Sequence, residues 1–122
     1  MVIIMNLRKI LAGLEGIKAK GEIDKEITTI EKDSRRVVEG SLFFAIKGFT
    51  TDGTQYISSA IEKGAKAILV DESTDIRAIN LPEDVTLLVV PDARYAMAIC
   101  SCNFFIKLSI GQYHTRIHLT IL

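Results

Sequence analysis

Two short stretches carry the residue types that hold an anion. The first is Asp33-Ser34-Arg35, a polar break directly after the β-favouring run Ile27–Glu31. The second is Gly48-Phe49-Thr50-Thr51-Asp52-Gly53, between the apolar run Ser41–Ile46 and a helical pattern that opens near Thr54. A strand-to-helix loop presents free backbone N–H groups at a helix N-terminus, where the helix dipole favours negative charge. Gly48 and Gly53 permit close backbone approach, and Ser34, Thr50 and Thr51 add hydroxyl donors. The G-x-x-x-x-G spacing opens as a P-loop does. However, Thr54 stands where that loop needs a Lys for the β/γ-phosphates. The arrangement suits a diphosphate that is bound and not cleaved. A second reading stands beside it: a glycine-punctuated turn capped by Asp52 or Thr54, of a kind common in α/β folds.

The charged residues nearby admit the same two readings. Arg35 and Arg36 can neutralise phosphate charge, or one can pair with Asp33 or Asp52 while the other faces solvent. Asp33 and Asp52 could form an acid–base pair. Both adjoin turns, where Asp bonds backbone N–H groups, so a structural role is expected of them. Cys100 and Cys102 lie two apart on an expected helix, about 200° around its axis, and face different directions; packing as small apolar side chains is expected, not metal binding. His114 and His118 would share a helix face, but no helix signal surrounds them and no thiol or carboxylate completes a site in the tail. No metal site and no Ser-His-Asp or Cys-His arrangement is expected.

The elements that position these loops follow from periodicity. Asn6 caps a short helix with Leu7, Ile10, Leu11 and Leu14 on one face, weakened at its end by Gly13 and Gly16. Gly21–Lys25 is a polar turn and Ile27–Glu31 a strand. Ser41–Ile46 and Ala67–Val70 are short, continuous apolar runs, the pattern of strands covered on both faces. Between them Tyr56, Ile57, Ala60 and Ile61 recur at helical spacing, closed by Gly64. Asp71–Asp84 is polar, with a short helical turn near Ile76–Ile79. Val85–Val90 is a strand stopped by Pro91, and Asp92 caps a helix from Ala93 to about Phe104. Strands alternating with helices predict an α/β fold: one small domain with a mixed or mostly parallel sheet flanked by helices.

Composition narrows the function classes. The 122 residues carry 15 basic and 15 acidic side chains, for zero net charge. That balance argues against nucleic acid and against a polybasic membrane surface as partners. With 48% hydrophobic and 25% charged residues and a mean hydropathy of +0.28, disorder is excluded for most of the chain. No apolar run approaches a membrane span, and the Met1–Met5 start lacks the charge order of a secretory signal. Two cysteines at i, i+2 build no disulfide scaffold, so a reducing, cytoplasmic setting is expected.

The residues quoted so far fall into a larger pattern. Thr28–Val70, TTIEKDSRRVVEGSLFFAIKGFTTDGTQYISSAIEKGAKAILV, closely resembles the N-terminal domain of Mur ligases. The shared pattern is the DSR turn, then V-x-x-G-x-L-F-x-A-x-x-G-x-x-x-D-G, then Y/F-I-x-x-A-x-x-x-G-A-x-A. Here these are Asp33-Ser34-Arg35, Val37, Gly40, Leu42-Phe43, Ala45, Gly48, Asp52-Gly53, Tyr56-Ile57, Ala60 and Gly64-Ala65. The start MNLRKILAGL, Met5–Leu14, is more similar to the MurE type, the UDP-N-acetylmuramoyl-dipeptide:amino-acid ligases, than to the MurF type. The resemblance implies a domain that binds the UDP end of UDP-N-acetylmuramoyl-L-Ala-D-Glu. Carried over from the family, Ser34 of the DSR turn is the best contact to the nucleotide substrate. Lys32 lines the same site, chiefly through its backbone, and Phe49, Thr50 and Thr51 form a second wall after Gly48. Arg35 joins this set as a charge partner for phosphate.

The resemblance runs from Met5 to about Phe105, which predicts a binding domain over residues 1–105 and an atypical tail over 106–122. In the family a Pro-Ser turn and a strand lead on to a G-T-N-G-K-T ATP loop; here the chain reads IKLSIGQYHTRIHLTIL. The parent family uses ATP and Mg²⁺, neither of which this chain is expected to hold, and the chain alone is expected to lack ligase activity. A frameshift is one expected origin of the tail. Its Ile117, Leu119, Ile121 and Leu122 could drive self-association by strand pairing. The competing expectations are a stand-alone α/β regulatory or interaction module that kept the fold and lost the ligand, or a fragment of a MurF-type ligase.

Overall fold

The apolar runs in the middle of the chain form a twisted sheet buried on both faces. The computed structural model describes residues 4–46 and 56–106. In chain order the elements are β1 (Met5–Asn6), α1 (Leu7–Ile10), β2 (Lys18–Lys20), β3 (Glu26–Ile27), β4 (Thr29–Glu31), β5 (Ser41–Phe44), α2 (Ile57–Glu62), β6 (Ala67–Asp71), β7 (Thr86–Val90) and α3 (residues 93–106). Short 3-10 turns occupy Ser34–Arg36 and Ile76–Ala78. The main sheet has the order β2-β7-β6-β5-β4, and a two-stranded sheet joins β1 to β3.

Strands β4 to β7 are parallel, with Leu42 between Ile30 and Ala67 and with Leu69 beside Leu88. Within the main sheet β2 runs antiparallel to β7, as β1 does to β3 in the two-stranded sheet. One face packs Leu42, Phe44, Leu69, Leu88 and Val90 against Leu7 and Ile10 of α1 and Ala96, Cys100 and Phe104 of α3. The other face packs Phe43, Ile68, Val70 and Leu87 against Ile57 and Ala60 of α2, with Ile79 and Leu81 at its margin. Helices on both faces are what a parallel sheet requires, because each crossover must return over the sheet. Asn6 caps α1 through its side chain on the Arg8 N–H, as expected from its position. The Asp92 carboxylate likewise accepts the Tyr95 N–H at the head of α3.

Three details depart from the sequence reading. The single strand expected over Ile27–Glu31 is two. Ile27 pairs with Met5 and Thr29 with Ser41, while the Thr28 N–H leaves both ladders to bond the Gly40 carbonyl at 3.0 Å. Lys18–Lys20 is an edge strand that the sequence does not announce, since all three residues are exposed. α1 is a single turn, after which Gly13 takes φ +89° and ends the helical path. Among the described residues no helix is long and apolar enough to cross a membrane. Gly48, Phe49, Thr50, Thr51, Asp52, Gly53, Thr54, both histidines and the tail from 107 onward lie outside the described residues.

Candidate functional site

Four parallel strands place their C-terminal ends along one edge of the sheet. The 33–36 turn leaves β4 there, the chain after Ala45 leaves β5, the 72–75 turn leaves β6, and Asp92–Arg94 follows β7. In open α/β sheets this is the edge where ligands bind. The sequence-predicted Lys32, Ser34 and Arg35 all sit on it, in one turn. The turn's expected partners Gly48, Phe49, Thr50 and Thr51 belong to the connection from β5 to α2, whose described flanks are Ala45-Ile46 and Tyr56.

The turn is built by its own carboxylates. Asp33 accepts the Arg35 backbone N–H at 3.0 Å and closes a two-pronged pair with the Arg35 guanidinium, 3.0 Å from Nε and 2.8 Å from Nη2. Those bonds, the guanidinium first and the backbone N–H next, hold the Asp33 carboxyl at about 2. The same pair raises the Arg35 guanidinium further above its ordinary value, with exposed Tyr56 a lesser contributor. Glu31 accepts the backbone N–H groups of Lys32 and Asp33 at 3.1 and 3.2 Å, and its other oxygen lies 3.8 Å from Arg36 Nε. Asp33 is therefore a turn-forming residue, while Asp52, its other partner in the acid–base reading, lies outside the described residues. Arg35 spends one edge of its fork on Asp33 and keeps its remaining N–H groups on an 84% exposed side chain.

Ser34 sits inside this frame and is itself buried. Its carbonyl accepts the Val37 N–H at 3.4 Å and the Lys63 ammonium at 3.1 Å. The following loop is tied down as well. Gly40 N–H donates to the Gly64 carbonyl at 2.8 Å, Thr28 Oγ1 donates to the Glu39 carbonyl at 2.7 Å, and Ser41 Oγ bridges the N–H and carbonyl of Val38. Residues 31–36 with Lys63 carry four cationic side chains, against the carboxylates of Glu31 and Asp33 and that of Glu39 beside Gly64. A chain of zero net charge thus carries a local positive excess at this turn, which suits an anionic ligand. Sequence reasoning missed Lys63. The one available signal is a basic residue at the end of a helix just before a C′ glycine, and that pattern is satisfied by the helix dipole alone.

Further along the edge, Ala45, Ile46, Asp71, Thr74, Asp92, Ala93 and Arg94 line a cleft of about 110 Å³. Asp71 and Asp92 bond backbone N–H groups of Ser73 and Tyr95 there. Wider grooves, of about 430 Å³ beside β2 and about 410 Å³ between Gly13 and Tyr95, contain none of the residues expected to bind. Among the described residues no group of three or more His, Cys, Asp or Glu side chains could hold a metal. Cys100 is buried, which pushes its thiol up to about 12, while Cys102 is exposed.

Comparison with known proteins bears on the same stretch. A family model described as "Mur ligase family, catalytic domain" matches residues 26–104. A UDP-N-acetylmuramoyl-L-alanyl-D-glutamate–2,6-diaminopimelate ligase of Clostridioides difficile is 43% identical over 101 residues, 83% of this chain and 20% of its own length. The ligase of the same name from Geobacillus thermodenitrificans is 39% identical over 115 residues, 94% of this chain and 21% of its own. The chain thus spans about a fifth of the length of the curated relatives it matches. In fold it is similar to a MurF crystal structure from Acinetobacter baumannii, with a TM-score of 0.64 and 22% identity over 84% of this chain and 21% of that one.

Proposed function

The chain belongs to the Mur ligase family, and on that premise we propose that it binds the nucleotide end of a UDP-N-acetylmuramoyl peptide, with UDP-N-acetylmuramoyl-L-Ala-D-Glu as the natural ligand. The carrying observation is the Ser34 turn. It is a buried serine in a fixed 3-10 turn at the ligand-binding edge of the sheet, inside a local excess of positive charge. Ser34 offers the uridine or diphosphate a hydroxyl, Lys32 its backbone, and Arg35 the free side of its guanidinium. Gly48, Phe49, Thr50 and Thr51 supply the facing wall in this reading. The chain's relatives are named for the dipeptide substrate that this assignment adopts.

These residues hold and orient a substrate; they do not activate it. The parent reaction draws on ATP and Mg²⁺ to make an acyl phosphate on the D-Glu side chain, and the 122 residues contain no G-x-x-x-x-G-K-[ST] loop to cradle the nucleotide. We assign these residues the binding of the substrate. A nucleotide-activated precursor is a cytoplasmic compound, so the binding step belongs in the cytoplasm. The test is a calorimetric titration with UDP, for the wild type and Ser34→Ala. Saturable binding at millimolar affinity or better, weakened about tenfold by loss of the hydroxyl, supports the assignment. Absence of saturable binding leaves only an α/β scaffold that has lost its ligand.

A further inference from the structure

We propose that Lys63 is a positioning residue for this nucleotide site, holding the Ser34 carbonyl and thereby setting where the Ser34 hydroxyl points. The proposal rests on the reading of the Ser34 turn as the UDP contact. The carboxylates of Asp33 and Glu31 hold the N–H groups at the start of the turn, and Arg36 N–H bonds the Asp33 carbonyl at 3.0 Å, but none of these bonds reaches the Ser34 carbonyl. Here the internal bond on the Ser34 carbonyl is long, 3.4 Å from the Val37 N–H. The shorter bond on that oxygen comes from outside the turn, from Lys63 Nζ at 3.1 Å. A bond from an ammonium is charge-assisted, so it is the stronger of the two.

Lys63 is well placed to act as a fixed anchor. It is the C-cap of α2, and its backbone N–H bonds the carbonyls of Ser59 and Ile61. The next residue, Gly64, turns the chain with φ +104° and accepts the Gly40 N–H through its carbonyl. The end of α2 is thereby tied to both sides of the loop that follows Ser34. Ser34 and Lys63 are 29 residues apart in sequence, so the bond joins the β4 end of the site to the helix that follows β5. Among the described residues Lys63 has no carboxylate partner within ion-pair distance. Its ammonium is spent on the neutral Ser34 carbonyl. Lys63 is exposed, and among the described residues its one side-chain tie is the bond to the Ser34 carbonyl.

The test uses the full chain and UDP as probe, with affinity and thermal midpoint measured for the wild type, Ser34→Ala, Lys63→Met, Lys63→Gln, Lys63→Arg and the Ser34→Ala/Lys63→Met double variant. Lys63→Met is expected to weaken UDP binding roughly three- to tenfold. Lys63→Arg, which keeps charge and donor, is expected to recover most of that loss, with Lys63→Gln intermediate. In the Ser34→Ala background Lys63→Met is expected to cost little more, because the two residues act as one unit. The proposal is overturned if Lys63→Met and Lys63→Gln both bind as the wild type does, or if Lys63→Met weakens binding equally with and without the Ser34 hydroxyl. A wild type that does not bind UDP, or a Ser34→Ala variant that binds unchanged, overturns the parent reading as well and is thereby told apart from failure at Lys63 alone.

Discussion

The Asp33 carboxylate takes three hydrogen bonds from one residue, Arg35: the backbone N–H at 3.0 Å, Nε at 3.0 Å and Nη2 at 2.8 Å. A carboxyl held at about 2 in the folded protein lies below its ordinary value of 3.8. Its contribution to stability is therefore complete above pH 4 and is lost as pH falls from about 4 to 2. The pair is solvated, so the effect is small and is read as a difference. Urea midpoints measured from pH 6 to pH 2 should fall less steeply between pH 4 and pH 2 for Asp33→Asn than for the wild type. Asp24, Asp75 and Asp84 are also held below their ordinary value by their basic neighbours, and their shared contribution cancels in that difference. Equal slopes would show that the pair contributes nothing.

Gly64 links the end of α2 to the loop after Ser34, and its geometry strains any other residue. A Cβ there would lie 2.8 Å from Glu39 Cα and also collide with the Glu39 carboxylate, on a backbone with φ +104°. Gly64→Ala is expected to cost about 1–3 kcal/mol of stability. It should also weaken UDP binding, because Gly40 and Lys63 move with it. A chemical-denaturation curve superimposable on that of the wild type would contradict this.

The two thiols differ sharply in environment. Cys100 is fully buried between α3 and the sheet, with its thiol pushed up to about 12, whereas Cys102 is exposed on the outer side of the same helix. A thiol reagent at pH 8 should titrate one group rapidly in the folded protein and two in denaturant. Two fast groups in the folded protein would mean that α3 does not pack as described.

How far the sequence disclosed this arrangement depended on burial. β5, β6 and β7 were legible because strands covered on both faces must be continuously apolar, as Leu42–Phe44 and Ile68–Val70 are. The caps at Asn6, Asp33 and Asp92 were legible because short polar side chains at those positions satisfy helix or turn N–H groups. Lys18–Lys20 was not, since an exposed edge strand is held by backbone bonds to β7 and leaves no side-chain pattern. The handover at Thr28 was hidden too: a period of two says which face a residue takes, and nothing of which strand it pairs with. At the site, residue types and spacing pointed to Ser34 and Arg35, but the Lys63 bond spans 29 residues and exists only in three dimensions.

Whether the C-terminal edge of the parallel strands holds a UDP-muramoyl peptide through the Ser34 turn is read by amide chemical-shift mapping of the isotope-labelled chain during titration with UDP-N-acetylmuramoyl-L-Ala-D-Glu. Binding at the turn should give saturable shifts concentrated in residues 31–37 and in the chain flanking 45–56, spreading to Lys63, while Lys18–Lys20 and Lys25 at other edges of the sheet stay unmoved. No saturable shift at millimolar ligand, or shifts gathered at β2 and away from Ser34, would contradict it.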